Sequence, residues 1–180
     1  MAKKYETPKW IKSVPKGSHG TKSNDLTFRY WKVVSDYVRI KDYLDYGYCV
    51  SCKKPFVEYK QSQAGHYKTW GSSNAYAKYN IDNIAGQCGP CNNWGSFEEG
   101  AIFLEELKMR KGDDVYQRIL KFHNEQSGNK MEKWDLVDKT YEMLLKIKDL
   151  GNVLHSTRDV IMPDYIKRAL DNREKELSID

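Results

Sequence analysis

Two pairs of cysteines, Cys49-Val50-Ser51-Cys52 and Cys88-Gly89-Pro90-Cys91, are the residues whose type and spacing most directly dictate a chemistry. Each C-x-x-C hook sets two thiolates the right distance apart for one tetrahedral ion at ~2.3 Å per Zn–S bond. Two disulfides are the competing reading, which a reducing compartment opposes, and a redox C-x-x-C would leave the second pair unexplained. One structural zinc per chain is therefore expected. Four thiolates leave such an ion no open position for catalysis.

Three further residues stand out around the hooks: His66 between them, Asn83 five residues before Cys88, and Asn92 directly after Cys91. An imidazole, with an ordinary pKa near ~6.5, is a suitable general base at neutral pH. Elsewhere His19, His123 and His155 read as surface or hydrogen-bonded residues. Asn83 has an ordinary alternative as a turn residue, and Asn92 as a helix cap. A knuckle, a hairpin and a second hook at a helix start make the treble-clef arrangement, in which zinc replaces a hydrophobic core too small to hold itself.

The elements that must position these residues follow from the apolar pattern. Residues 1–24 carry Pro8, Pro15, Gly17, Gly20 and many lysines without a sustained period, and read as a basic flexible arm. Tyr30, Val33 or Val34, Tyr37, Ile40 and Leu44 recur every three or four residues, which predicts a helix from Leu26 to Asp45, stopped at Gly47. Phe56-Val57-Glu58-Tyr59 reads as a strand, the residues before His66 as the start of another element, and Tyr79 to Ile84 as strand-like. Cys91-Asn92 should open a helix. Further helices are expected from Phe97 to Gly112, Val115 to His123, Trp134 to Leu150 and Asp164 to Leu177. The fold class is thus α+β, a zinc-stapled treble-clef core with flanking helices. Its expected parts are the arm (1–24), a zinc-stapled domain with leading and trailing helices (25–128) and a C-terminal helical extension (129–180). The loop from Trp70 to Lys78 reads as exposed and close to a ligand.

Net charge is +5, but residues 1–41 hold ten Lys or Arg against three acidic residues, a local +7 that leaves −2 for the rest. A basic arm on a near-neutral body suits a polyanion, because each cation on a phosphate releases condensed counterions, although a solubilising tail has the same composition. No stretch approaches the roughly 18 apolar residues of a membrane helix, and no apolar run follows Lys3-Lys4, so a cytoplasmic protein is expected.

His66, Asn83 and Asn92, in the run Asn83-Ile84-Ala85-Gly86-Gln87-Cys88-Gly89-Pro90-Cys91-Asn92, resemble the HNH endonuclease motif with Asn in its third place. More narrowly, Tyr30 to Asp42, Cys49-Val50-Ser51-Cys52, Ala64-Gly65-His66-Tyr67 and Asp82 to Asn92 resemble the phage NinG (Rap) recombination nuclease family over roughly residues 26–150. The resemblance implies the ββα-metal fold of HNH enzymes and a metal-dependent DNA endonuclease cutting branched DNA such as Holliday junctions or D-loops. In it His66 is the base, Asn83 orients the loop bearing His66, and Asn92 helps to ligate a catalytic Mg²⁺ or Mn²⁺ beside the structural zinc. Many HNH enzymes place Asp directly before the catalytic His; this chain has Gly65. A carboxylate such as Asp82, Glu98 or Glu99 could complete the shell.

Phosphate contacts are assigned to Lys9, Lys12, Lys16, Lys22, Arg29, Lys32, Arg39 and Lys68, with Trp10, Trp31, Trp70 and Tyr67 as candidates to stack on unpaired bases. Two cuts across a junction call for a homodimer, and phage or host recombination proteins are further expected partners. The rival functions are a zinc-stapled nucleic-acid-binding module without cleavage and a protein-interaction adaptor. Cleavage in Mn²⁺ separates the first from the enzyme, and salt-dependent DNA binding separates the second.

Overall fold

A computed structural model of the chain describes residues 6–16, 25–69, 77–95, 97–126, 129, 131–152 and 160–178. Its elements are α1 (Asp25–Asp45), β1 (Gln63–His66), β2 (Ile84–Gln87), α2 (Gly89–Trp94), α3 (Phe97–Lys111), α4 (Val115–Gln126), α5 (Lys133–Asn152) and α6 (Asp164–Leu177). Short 3₁₀ turns lie at Lys9–Ser13, Tyr59–Gln61, Ala77–Tyr79 and Ile81–Asn83. The molecule is helix-rich with a two-stranded antiparallel sheet, an α+β arrangement. Among the described residues no helix is long and apolar enough to cross a membrane.

The chain divides into two compact units along lines other than the three expected parts. Residues within Met1–Val34, Glu132–Val153 and Ile161–Asp180 form one unit; Ser35–Met131 with Leu154–Val160 form the other. The N-terminal segment and the C-terminal helices thus share a unit instead of forming a free arm and a separate extension. Trp10, Ile11 and Val14 are buried, and Lys9–Ser13 packs on α6. Glu176 of α6 accepts from the backbone N–H of Lys9 at 2.9 Å and of Trp10 at 3.1 Å, so a carboxylate satisfies the first donors of the turn. Three apolar side chains among lysines suffice to hold this segment to a helix face. Lys22 lies outside the described residues.

In the other unit, Val50, Ala85, Phe103, Leu107, Val115 and Ile119 form the core, with Tyr67 packed against it. This small core sits directly beneath the first cysteine hook and the sheet. Gly47, at φ 72°, turns the chain out of α1 in the left-handed conformation that favours glycine. Its carbonyl accepts from Phe56 N–H at 2.8 Å, while Tyr48 bridges Pro55, closing the loop that carries the hook.

The expected strand Phe56–Tyr59 is instead an irregular stretch running into the turn Tyr59–Gln61. Phe56 and Tyr59 are buried while Val57 and Glu58 are exposed, a spacing of three that suits a turn rather than strand alternation. Tyr79–Ile84 is likewise mostly two 3₁₀ turns, with strand beginning only at Ile84. Asn80 causes this: its side chain accepts from Asp82 N–H at 3.0 Å and its carbonyl from Asn83 N–H at 2.9 Å. Helix α2 starts two residues earlier than expected, because Pro90 fits the first turn of a helix, where its missing N–H has no partner to lose.

Candidate functional site

Cys49 and Cys52 come from the loop after α1, and Cys88 and Cys91 from the start of α2. Their Sγ atoms all lie within 4.8 Å of one another, with Cys52 and Cys88 at 3.7 Å. Sulfurs at the corners of a tetrahedron with ~2.3 Å bonds stand about 3.8 Å apart, whereas a disulfide requires about 2.05 Å, so the four thiols fit one zinc ion and not two disulfides. Cys88 N–H donates to Cys49 Sγ at 3.3 Å, the kind of bond that supports a thiolate ligand. Lys53, at φ 61°, turns the knuckle, and its N–H donates to Cys49 carbonyl at 3.0 Å. Burial pushes the Cys49 and Cys91 thiols above their ordinary pKa, while hydrogen bonds from the Lys54 backbone and the neighbouring cysteines hold the Cys52 thiol below it.

The sheet pairs Gln63 with Gln87, Gly65 with Ala85 and His66 with Ile84. His66 therefore ends β1 at a position fixed by its partner strand. Its Nε2 lies 2.8 Å from the Lys78 carbonyl. A carbonyl only accepts, so Nε2 carries the proton and the lone pair falls on Nδ1. Asn83 is fully buried and grips both backbone groups of Lys68: Nδ2 donates to the carbonyl at 2.8 Å, and Oδ1 accepts from N–H at 2.9 Å. Tyr67 N–H donates to the Asn83 carbonyl at 2.9 Å. Asn83 thus holds the two residues that follow His66. Lys111 adds a bond from Nζ to the Ile84 carbonyl at 2.7 Å and another to the Ile81 carbonyl, bracing the same segment from α3.

Asn92 lies in α2 and is exposed; its Nδ2 donates to Gln63 Oε1 at 2.6 Å, tying the helix to β1. Gly65 lies on the same sheet face as Gln63 and Gln87. A Cβ at Gly65 would stand 1.8 Å from Gln87 Oε1 and 3.0 Å from Asn92 Oδ1. Gly65 is needed here for space, since Gln87 crosses its face to donate from Nε2 to Ser51 Oγ at 2.8 Å. Asp82 is committed to Arg118, with Nε to Oδ2 at 3.0 Å, and the side chains of Glu98 and Glu99 lie outside the described residues.

The expected phosphate contacts divide. Lys9, Lys12 and Lys16 are exposed, Lys16 pairing with Asp25 at 3.0 Å. Lys32 sits over the Tyr165 ring at 5.0 Å, and Lys68 reaches the Tyr116 hydroxyl at 3.1 Å, two residues beyond His66. Arg39 lies over the Tyr59 ring and donates to the Lys60 carbonyl at 3.1 Å. Arg29 is a correction: it is buried and its guanidinium donates to Asp25 and to the carbonyls of Ile11, Lys12 and Val14, a role in holding the N-terminal turn. Trp10 and Trp31 are also buried, so neither can stack on a base, and Trp70 lies outside the described residues. Trp94, at the end of α2 and 80% exposed, was missed by sequence reasoning, although an aromatic two residues after Asn92 was a readable signal.

Beneath the hook lies an ionic network that the sequence did not announce. Asp42 of α1 accepts from Gly86 N–H at 2.7 Å and from Arg110 Nη1 at 3.1 Å, and Arg110 stacks on Tyr46 and bonds Glu106. Glu106 also takes Lys53, next to the first hook, and the Tyr48 hydroxyl at 3.2 Å. Burial alone would raise the Glu106 carboxyl, but Lys53 and Arg110 outweigh it and hold it below its ordinary value.

Fold and site together define a helix-rich α+β protein whose four thiols are set for one tetrahedral metal ion. Residues 20–152 match the family model described as the bacteriophage lambda NinG protein, and the chain belongs to the NinG family. That is a bacteriophage family, and it suggests a function related to phage recombination. No curated protein and no solved structure matches the chain.

Proposed function

We propose that this chain is a metal-dependent HNH-type DNA endonuclease that acts on branched DNA, such as four-way junctions, in phage recombination. The observation that carries the reading is the placement of His66: a strand-end imidazole with Nε2 bonded to a backbone carbonyl, followed by a loop clamped by the buried Asn83 side chain. Both are features of a general base held in one tautomer and one position. Its Nδ1 takes the proton from the attacking water. Asn92 Oδ1 is the candidate ligand for Mg²⁺ or Mn²⁺, which when bound supplies positive charge to the scissile phosphate and the departing oxygen. The zinc cluster is scaffold, fixing the two hooks so that β1, β2 and α2 meet at one point.

A binding module without cleavage is the second reading, favoured by Gly65, which brings no carboxylate to the place before His66. Incubation of the protein with linear duplex and four-way junction DNA in Mg²⁺, Mn²⁺ or chelator decides between them. Junction cleavage in metal, abolished by chelator, is expected. Tight junction binding without cleavage in either metal would establish the module instead.

A further inference from the structure

The missing carboxylate before His66 leaves a specific space, and a different side chain fills it. Gln87 Oε1 lies 1.8 Å from the point where a Cβ at Gly65 would be, and Asn92 Oδ1 lies 3.0 Å from the same point. Two side-chain amide oxygens therefore converge on the face of Gly65, one residue from His66. Their orientations are fixed from behind: Gln87 Nε2 donates to Ser51 Oγ and Asn92 Nδ2 donates to Gln63 Oε1, so in both amides the oxygen is the atom turned to the shared space. Among the described residues no group donates to either oxygen.

Gln87 is 6% exposed, so the surrounding protein holds its amide in place beside Gly65. Hard divalent cations choose oxygen donors, and amide carbonyls are regular members of their shells.

We propose that Gln87 supplies a second side-chain oxygen, beside Asn92, to the divalent cation of this site, in place of the acid that Gly65 lacks. The assignment rests on the nuclease reading for the cation's identity as Mg²⁺ or Mn²⁺. It also accounts for Gly65, since any larger residue there displaces the Gln87 oxygen. With two neutral ligands the site binds the free ion weakly and gains its remaining charge and oxygens from phosphate and water.

The test is Mn²⁺ titration of the zinc-loaded full chain, following loss of the free-ion electron paramagnetic resonance signal, with zinc content and circular dichroism recorded for each variant. Gln87→Glu places a carboxylate where the amide oxygen stands and should tighten Mn²⁺ binding by about tenfold or more, because ligand charge sets affinity at such sites. Gln87→Met keeps the bulk, removes the oxygen and should weaken binding by about tenfold or more. Ser51→Ala removes the supporting bond while leaving the oxygen, and should shift affinity less than Gln87→Met does. Opposite shifts in Glu and Met variants that both retain zinc are a signature that a packing role does not produce. If Asn92→Ala weakens Mn²⁺ binding while both Gln87 variants match the parent, the assignment to Gln87 falls and the nuclease reading stands. If the parent chain binds no Mn²⁺ at millimolar concentration, alone or with junction DNA, both fall.

Discussion

At the scale of single residues, His66 and Asn83 make separable contributions. His66→Ala should keep the zinc, the fold and junction affinity, because its bond to the Lys78 carbonyl lies at the surface, while cleavage falls at least ~10²-fold, the lower end of general-base catalysis. Parental cutting by that variant, measured in single-turnover assays, would remove His66 from the mechanism. Asn83→Ala is different, since it strips two bonds from the Lys68 backbone inside the protein. It should cost about 1–3 kcal/mol of stability in denaturant titration and slow cleavage together. Asn83 and His66 were legible in sequence because their distances from the second hook are distinctive. Gln87 was not: an uncharged residue beside a zinc ligand carries no signal until the sheet register places it over Gly65.

At the scale of elements, the cysteine hooks and the ionic network on α3 call for separate tests, one of zinc and one of buried charge. Cys88→Ser should abolish zinc retention and unfold the region from the first hook through α2, seen as lost zinc in elemental analysis and lost protection of β1 and β2 in hydrogen exchange. Zinc must displace protons from thiols that burial holds protonated, so zinc affinity should fall as pH is lowered. The ionic network adds a second acid limb. The Glu106 carboxyl is held below its ordinary pKa of 4.5, so its stabilisation is complete above that pH and is lost as pH falls through the lower folded value. Glu106→Gln should flatten that limb of the stability curve. Arg110→Leu, which leaves Asp42 buried without its cation, should cost about 3–5 kcal/mol. The helices α1 and α3 to α6 were readable to within a few residues because their apolar positions recur at helical spacing over more than ten residues. The segments from Phe56 to Tyr59 and Tyr79 to Asn83 were not. There, side-chain bonds to nearby backbone and the tether of the hook outweigh local strand preference.

At the scale of the whole molecule, the N-terminal segment proves to be structural as well as charged. Trp10→Ala should destabilise the unit containing α5 and α6 by about 3–5 kcal/mol, measured by thermal or denaturant unfolding, because it empties a buried site that also receives Tyr141 at 6.1 Å and Arg173. Deleting residues 1–22 should therefore lower stability in addition to making the salt dependence of DNA binding shallower. An unchanged unfolding midpoint would return the segment to the status of a tail. Composition hid this, since lysines dominate the count while three apolar side chains decide the packing.

The division of the chain into two units also sets an order for their appearance during synthesis. Apart from residues 154–160, the unit carrying the four cysteines lies within Ser35–Met131 and is synthesised before α5 and α6. The other unit must wait, because Trp10 and Ile11 find their partner face only when α6 has emerged. Domains can fold as units as they leave the ribosome, and contacts between distant residues form slowly. The unit with the four cysteines is thus made while the segment carrying Lys9, Lys12 and Lys16 still awaits its docking site. A nascent chain released short of α6 would carry a complete cysteine cluster joined to an exposed strip of Trp10, Ile11 and Val14, a form prone to self-association.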